Sequence, residues 1–185
     1  MRMLRRRLRR TAPAGGKLAA RILAEQRLPI RSGLFHRPVA ATYMSVNGEM
    51  DTHFLRALVR ARRWREALPA AVAIDAPLVF REHRRGGGLV DDACGIPAPP
   101  ASARELAPEL LFAPLLAFDR RGGRLGQGGG HYDRAIAALR GQGQVYVIGM
   151  GYAGQELDEI PMEPHDQRLD AILTETEFIS VARDS

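Results

Sequence analysis

The stretch ELLFAPLLAFDRRGGRLGQGGGHYDRAIAALR, residues 109–140, contains the features that decide the fold. It opens with an almost continuous apolar run, Glu109 to Phe118, of the kind that is buried on both faces of a parallel sheet. Glycines concentrated between Gly122 and Gly130 follow, and the last part, YDRAIAALR, has apolar residues at helical spacing. Free amide groups at the start of a helix point outward, and the helix dipole favours negative charge. A strand, a glycine loop and a helix in succession therefore predict an anion site, with phosphate as the expected ligand.

The rest of the chain alternates between helical and strand patterns. This alternation predicts an α/β fold, a single three-layer domain over residues 1–185 in which helices cover both faces of a mostly parallel sheet. Residues 1–30 are expected to form an N-terminal helical segment that packs on this domain. Helices are predicted in MRMLRRRLRR, KLAARILAEQRL and MDTHFLRALVRARR. Strands are predicted in PVAATYMSV (38–46), ALPAAVAI, PLVFRE, QVYVIGM and, as the last strand, LDAILT.

Composition limits the class of protein. The chain has 185 residues, of which 45% are hydrophobic and 26% charged, as in an ordinary soluble globular protein. No apolar run is long enough to span a bilayer. Cys94 is the single cysteine and cannot form an internal disulfide, so nothing in the sequence requires an oxidising compartment. We expect a cytoplasmic monomer.

The N-terminal arginines admit two interpretations. The net charge of +6 comes from 27 basic and 21 acidic residues, and six arginines lie within MRMLRRRLRR. A secretory signal is excluded because TAPAGGKLAAR follows where an apolar segment would be required. Charge alone would suit a nucleic-acid-binding arm. The helical spacing of Arg2, Arg5, Arg6 and Arg9 favours an amphipathic helix equally well.

The glycine loop does not match the two best-known phosphate motifs. A P-loop needs Gly-Lys-Ser/Thr at the helix entry, whereas this chain has Gly130, His131 and Tyr132 there. The spacing of the glycines is not the dinucleotide fingerprint either, so a plain tight turn remains an alternative. Asp133, in the first helical turn, could hold Mg²⁺ beside a phosphate or could merely complement the helix dipole.

One long motif resembles a known family. Phe118-Asp119, followed by RLGQGGGHYD at residues 124–133, is similar to the hallmark of the 5-formyltetrahydrofolate cyclo-ligases, also called methenyltetrahydrofolate synthetases. The segments YMSVNGEMDT, ALPAAVAIDAPLVF, GIPAPP and QELDEIPMEPHDQRLDAILTE resemble the flanking parts of that family. The resemblance extends over nearly the whole chain from about Val39 onward.

The resemblance implies an ATP- and Mg²⁺-dependent ligase that converts 5-formyltetrahydrofolate to 5,10-methenyltetrahydrofolate, with release of ADP and phosphate. In that reaction the γ-phosphoryl group of ATP activates the N5-formyl oxygen, N10 attacks the carbon, and phosphate departs. Such chemistry needs positioning and charge neutralisation more than a strong base. A sugar-phosphate isomerase or a transferase on a similar sheet would share the glycine loop without needing ATP, and a nucleic-acid-binding protein is the remaining alternative.

The resemblance also implies roles for individual residues. Arg124 and Tyr132 are implied as catalytic, and Asp133 and Asp166 as the Mg²⁺ ligands. Met44 and Glu49 fall on folate-binding positions, although Glu49 could instead be only an acidic residue before a helix. The implied ATP-binding residues are Arg2, Arg5, Arg124, Leu125, Gly126, Gln127, Gly128, Gly129, Gly130, His131 and Tyr132. The implied folate-facing part of this loop is Gln127, Gly128, Gly129, Gly130 and His131.

Three departures from the family pattern stand out. The position of a nucleotide-contacting lysine falls on Met1, which leaves Arg2 as the available substitute. TAPAGGK is poor in the polar helix residues usual after the first helix. His83 stands where the family often has a tryptophan that stacks on folate, which predicts weaker stacking by about 1 kcal/mol.

Overall fold

A central sheet of seven strands organises the computed structural model, which describes residues 1–30 and 36–182. Two short two-stranded sheets accompany it. The helices are α1 (Arg2–Thr11), α2 (Gly15–Ala24), α3 (His53–Ala61) and α4 (His131–Gln142), with a 3₁₀ turn at Ala153–Gln155. The strands are β1 (Val39–Ala41), β2 (Arg65–Ala70), β3 (Val79–Glu82), β4 (Val90–Asp91), β5 (Pro97–Ala98), β6 (Leu110–Pro114), β7 (Ala117–Phe118), β8 (Arg124–Leu125), β9 (Tyr146–Met150), β10 (Ala171–Leu173) and β11 (Phe178–Ser180).

The order of strands in the large sheet is β11-β10-β9-β6-β1-β2-β3. The inner strands from β10 to β2 run parallel, and only the edge strands β11 and β3 pair antiparallel. Side chains of α2 and α3, including Leu23 and Leu55, pack on one face of the sheet, and Ile136 of α4 packs on the other. The predicted three-layer α/β fold with a mostly parallel sheet is therefore confirmed.

The N-terminal segment is docked onto this sheet. In α1 the side chain of Arg5 is only 1% exposed, and Leu8 packs against the core on the α2 side. TAPAGGK is poor in the polar helix residues that are usual in the family, and packing explains its glycines. A Cβ at Gly16 would lie 2.1 Å from the carbonyl oxygen of Asp51. Glycine is thus what allows α2 to approach the segment before α3 so closely.

The run ELLFAPLLAF is two strands, not the one that was predicted. β6 ends at Pro114, and the chain turns so that β7 pairs with β8 instead of continuing in the large sheet. The carbonyl groups at the break are satisfied by a buried side chain, since Gln155 Nε2 donates to Leu115 O at 3.1 Å and to Leu116 O at 2.9 Å. This break turns the following loop back over the carboxyl edge of the sheet.

Two further strand predictions need correction. β1 ends at Ala41 rather than reaching residue 46, because the chain folds on itself: Tyr43 Oη and Ser45 Oγ both donate to Met50 O, at 3.0 and 2.8 Å. LDAILT contains β10 but is not the last strand. Thr174 Oγ1 accepts the N–H of Glu177 at 3.0 Å, which closes a tight turn into β11.

Candidate active site

The glycine segment begins with a turn that is closed by Asp119. This carboxylate is 1% exposed and accepts three backbone N–H groups, from Arg121 and Gly123 at 2.9 Å and from Ile160 at 2.8 Å. Burial alone would raise the pKa of Asp119, but these hydrogen bonds outweigh it and the pKa is lowered. The turn Asp119–Gly123 therefore fixes the position at which β8 and the loop start.

The other half of the segment, Gly126–Gly130, is less enclosed: Gln127, Gly128 and Gly129 are exposed, and Gly126 and Gly130 are partly exposed. Gly128 has φ +94°, and no atom lies within 4 Å of the position that a Cβ would take there. Gly130, with φ +62°, is the N-cap residue of α4, and no side chain in the described residues caps that helix. The described side chains therefore leave the first amides of α4 uncapped, and the anion site at this position stays a prediction.

Arg124 lies at the base of the loop and reaches the first turn of α4. Its Nη2 donates to Asp133 Oδ2 at 2.6 Å, and its guanidinium carbon lies 5.7 Å from the centre of the Tyr132 ring. The Arg124 Nε is buried and has no partner among the described residues. Tyr132 is half-buried against the core, and burial raises the pKa of its hydroxyl. The structure thus brings both predicted catalytic residues together beside Asp133.

Gln127 connects the loop with two other segments of the chain. Its Nε2 donates to Glu49 Oε1 at 3.2 Å, and its carbonyl oxygen accepts Arg2 Nη2 at 3.3 Å. Arg5 donates through Nη1 to Glu49 Oε1 at 3.5 Å and through Nη2 to Asn47 O at 3.1 Å. Four predicted site residues therefore meet at one place: Arg2, Arg5, Glu49 and Gln127.

Burial dominates the electrostatics of this group. It raises the pKa of the Glu49 carboxyl, against the opposing effects of the Val46 N–H and of Arg5. It lowers the pKa of the Arg5 guanidinium, with Glu49 opposing the shift. A carboxylate in such surroundings accepts N–H donors strongly, because little water competes for it.

His131 and Met44, both predicted to face the substrate, have different surroundings. His131, at the start of α4, lies within 3.9 Å of Cys94 Sγ and 3.4 Å of Ala76 O through its two ring nitrogens. Met44, in the loop after β1, has its sulfur 3.3 Å from Arg56 Nη1. His131 and Met44 are both partly exposed, so the loop Gly126–Gly130 does not shield either side chain from solvent.

The structure adds residues that the sequence did not indicate. Arg134 Nη2 donates to Gly129 O at 2.9 Å, so this side chain holds the glycine loop from the helix side. Gln155 fixes the turn beneath the loop through the two carbonyls of residues 115 and 116. Arg134 could have been found, since its position one helical turn after the loop places it beneath the loop. Nothing in the sequence pattern connects Gln155 with the loop.

The two carboxylates predicted to bind metal lie on neighbouring segments. Asp133 Oδ1 accepts the backbone N–H of Gln167 at 3.2 Å, which brings α4 beside the turn that contains Asp166. Asp166 Oδ2 accepts the N–H of Glu163 at 2.8 Å. Within residues 1–30 and 36–182, no group of three or more His, Cys, Asp or Glu side chains is arranged to hold a metal ion. The described helices also include none with the length and apolar character of a membrane span.

Comparisons with known proteins show which family the chain resembles over most of its length. The model of the 5-formyltetrahydrofolate cyclo-ligase family matches residues 2–175. The 5-formyltetrahydrofolate cyclo-ligase of Escherichia coli (strain K12) is 32% identical over 140 residues, which cover 72% of this chain and 76% of that protein. The enzyme of the same name from Haemophilus influenzae is 30% identical over 142 residues, 72% and 73% of the two chains. The NMR structure of Aquifex aeolicus 5,10-methenyltetrahydrofolate synthetase has a TM-score of 0.69 and 25% identity, covering 100% of this chain and 87% of that one.

Proposed function

Because the chain belongs to the 5-formyltetrahydrofolate cyclo-ligase family, we propose that it converts 5-formyltetrahydrofolate and ATP to 5,10-methenyltetrahydrofolate, ADP and phosphate. The observation that carries the proposal is the open loop Gly126–Gly130 at the uncapped start of α4, inside a family match that extends over residues 2–175.

The nucleotide binds, in this proposal, along the outer face of the loop. The amides of Gly128–His131 contact the phosphates, and the positive end of α4 favours their charge. Arg124 neutralises charge that builds up on the transferring phosphoryl group. Its Nε has no partner among the described residues, and its carboxylate partner Asp133 holds only one end of the guanidinium. Arg2, on the carbonyl of Gln127, replaces the lysine that the family pattern leads one to expect.

The folate binds where Gln127 meets Glu49. The Glu49 carboxylate is buried and accepts N–H donors, as recognition of a pterin ring requires. Arg5 contacts Glu49, Asn47 O and Leu115 O, so its closest partners are on the folate side of the site. We therefore propose that Arg5 orients Glu49 in addition to any contact with ATP. This arrangement places the formyl group near the phosphates, where N10 can attack once the oxygen is phosphorylated.

In this proposal Asp133 and Asp166 would hold a magnesium ion together with oxygens of the substrate. Mg²⁺ commonly takes one or two carboxylates and completes its shell with water and phosphate oxygens, so two protein carboxylates on adjoining segments suffice. When bound, the ion would neutralise charge on the transferring phosphoryl group. Until then Asp133 is held by Arg124 and by the Gln167 N–H.

We also propose that the chain acts as one catalytic domain, as a monomer and in the cytoplasm. The N-terminal helices pack on the same sheet as the site, which supports the first point. Cys94 is a free thiol, which is usual where thiols stay reduced.

One assay tests the reaction directly. Purified protein is mixed with MgATP and 5-formyltetrahydrofolate, and the absorbance of the methenyl product is followed. We expect the chromophore to appear only when ATP and Mg²⁺ are both present, with one ADP formed per product. A chain that hydrolyses no ATP and yields no chromophore with intact reagents would contradict the proposal. Product formation without ATP would contradict an ATP-dependent ligase.

A further inference from the structure

A group of charged side chains surrounds the buried carboxylate of Glu66 beside Met44, between α3 and the strands β2 and β3. We call Arg56, Arg60, Glu66 and His83 the Glu66 cluster. The side chain of Glu66 is 1% exposed and accepts from two arginines: Arg56 Nε donates to Oε1, and Arg60 Nη1 donates to Oε2 at 2.7 Å. Both oxygens of the one carboxylate are therefore already occupied.

The cluster carries a net positive charge. Arg56 Nη2 lies 3.0 Å from His83 Nδ1, and because a guanidinium can only donate, this imidazole nitrogen accepts. Burial, with Arg56, also lowers the pKa of His83, although Glu66 opposes the shift, so the ring is neutral at pH 7. Two guanidiniums then face one carboxylate. The side chains of Arg56 and Arg60 are 16% and 33% exposed, so the excess positive charge is accessible to a further anion.

One donor of the cluster has only a weak acceptor. Arg56 Nη1 donates to the thioether sulfur of Met44, which is a poor acceptor compared with oxygen. The Arg56 side chain is 16% exposed, so this end of the guanidinium reaches the surface next to Met44. A ligand oxygen there would replace the sulfur and gain a charge-assisted hydrogen bond.

We propose that Arg56 determines substrate specificity by binding a carboxylate of the glutamyl part of the folate. This inference rests on the proposed function, in which Glu49 faces the folate, and on the folate-binding position that the family resemblance implies for Met44. The pterin ring supplies N–H donors to Glu49, whereas the carboxylates of a folate lie at its opposite, glutamyl end. The net charge of the Glu66 cluster selects that anionic end, and the planar guanidinium matches a carboxylate. The charge of Arg56 then compensates for the weaker aromatic stacking that is predicted for His83.

The test measures affinity without turnover. Binding of 5-formyltetrahydrofolate is followed by calorimetry in the absence of ATP, for the wild-type protein and for Arg56→Gln. We expect the variant to bind about 10- to 100-fold more weakly, the loss of one charge-assisted hydrogen bond. The matched control is Arg65→Gln, which removes a neighbouring arginine of β2 that pairs with Glu82 and lies outside the Glu66 cluster. Its affinity should stay within about twofold of wild type.

A second ligand identifies the group that Arg56 contacts. In the diamide of 5-formyltetrahydrofolate both glutamyl carboxylates are neutral amides of nearly the same size. The wild-type protein should bind the diamide about 10-fold or more weakly than the acid, and Arg56→Gln should bind both forms about equally. Equal affinity of the wild-type protein for acid and diamide would overturn the inference, and this measurement needs no variant. An equal loss for both ligands in Arg56→Gln would overturn it as well, because Arg56 would then only support the fold.

Two measurements separate this inference from the proposed function. If wild-type protein forms the methenyl chromophore but does not distinguish acid from diamide, only the role of Arg56 is wrong. If wild-type protein forms no chromophore, the proposed reaction is wrong. Arg56→Lys serves if Arg56→Gln does not fold, since it keeps the charge but loses the planar pair of donors. It should retain part of the preference for the acid; full retention would contradict a contact that depends on the guanidinium.

Discussion

Two halves of one glycine segment, Asp119–Gly123 and Gly126–Gly130, use the same residue type for opposite reasons. In the first half the protein itself fills the space: a Cβ on Gly123 would lie 2.5 Å from Asp119 Oδ2 and 2.9 Å from Ile160 Cβ. In the second half a Cβ on Gly128 would meet no atom within 4 Å. The first glycine is required by packing. Gly128 is required by its positive φ, and the space beside its Cα holds no protein atom.

The first half of the segment therefore serves the stability of the fold, and the second half serves the proposed binding of a ligand. Asp119 is satisfied by three backbone N–H groups, so the first half is complete without a ligand. In the second half the amides at the start of α4 have no side-chain cap in the described residues. Substitutions in the first half should therefore reduce stability, whereas those in the second half should reduce ligand binding and turnover.

The largest effect is expected for Gly123→Ala. The new methyl group would displace the Asp119 carboxylate from its buried hydrogen bonds, which should lower the free energy of unfolding by about 3 kcal/mol or more. Urea denaturation measures this change. Gly141→Ala is the control, because Gly141 lies inside α4 with nothing within 4 Å of its Cβ position. That substitution should raise stability by about 0.5 to 1 kcal/mol. A tolerated Gly123→Ala would show that the turn is less tightly packed than the structure indicates.

The next effect concerns turnover. Asp133→Asn keeps the size of the side chain but removes the charge that pairs with Arg124 and that is proposed to hold Mg²⁺. We expect turnover to fall by roughly 10²-fold or more, with folate affinity unchanged. The measurement is turnover across a magnesium titration for Asp133→Asn, Asp166→Asn and the double variant.

The double variant Asp133→Asn with Asp166→Asn tests whether the two carboxylates hold the same ion. If both carboxylates serve one ion, the second substitution should add little to the first, since losing one ligand already disables a shared site. Independent and additive losses would mean that the two residues do not serve the same ion. Near-normal turnover of Asp166→Asn would leave that residue with only its hydrogen bond to the Glu163 N–H.

Gly128→Val should weaken ATP binding by about tenfold or more while the protein stays folded, because the side chain would enter the space proposed for phosphate. Calorimetry with ATP measures the affinity. Gly86→Val is the matched control: Gly86 also has a positive φ, +78°, and nothing within 4 Å of its Cβ position, but it lies outside the loop. Both variants share the backbone strain, so unchanged ATP affinity in Gly128→Val would place the phosphates elsewhere.

The sequence predicted those features that depend on neighbouring residues. The helix with Tyr132 and Ile136, the buried strand before it and the open loop between them follow from local pattern, and the structure contains all three. The break after Pro114 was not predictable, because the group that satisfies it, Gln155, lies about 40 residues away in sequence.

The same reason explains the other differences. The contact of Arg5 with Glu49 joins the first helix to a loop 44 residues later, and no periodicity indicates it. The resemblance to a family implied a separate binding role for each residue but not their contact. β11 was missed because it depends on the turn at Thr174, whose hydroxyl accepts the N–H of Glu177 rather than following an apolar pattern.

The smallest expected effect is a pH dependence that belongs to the first half of the segment alone. The pKa of Asp119 is lowered below its ordinary value of 3.8 in the folded protein, because its backbone hydrogen bonds outweigh the opposite effect of burial. An acid with a lowered folded pKa contributes stability above its unfolded pKa and loses it as pH falls through the folded value. The difference in unfolding free energy between wild type and Asp119→Asn should thus be constant from pH 7 down to about pH 5. It should then narrow, by on the order of 1 kcal/mol, as the pH falls below 3.8. Denaturation curves at several pH values measure it, with Asp91→Asn, an exposed acid, as the control that should show no such change. A difference that widens on acidification would mean that the carboxylate is destabilised by burial rather than held by the turn, and the contrast between the two halves would lose its physical basis.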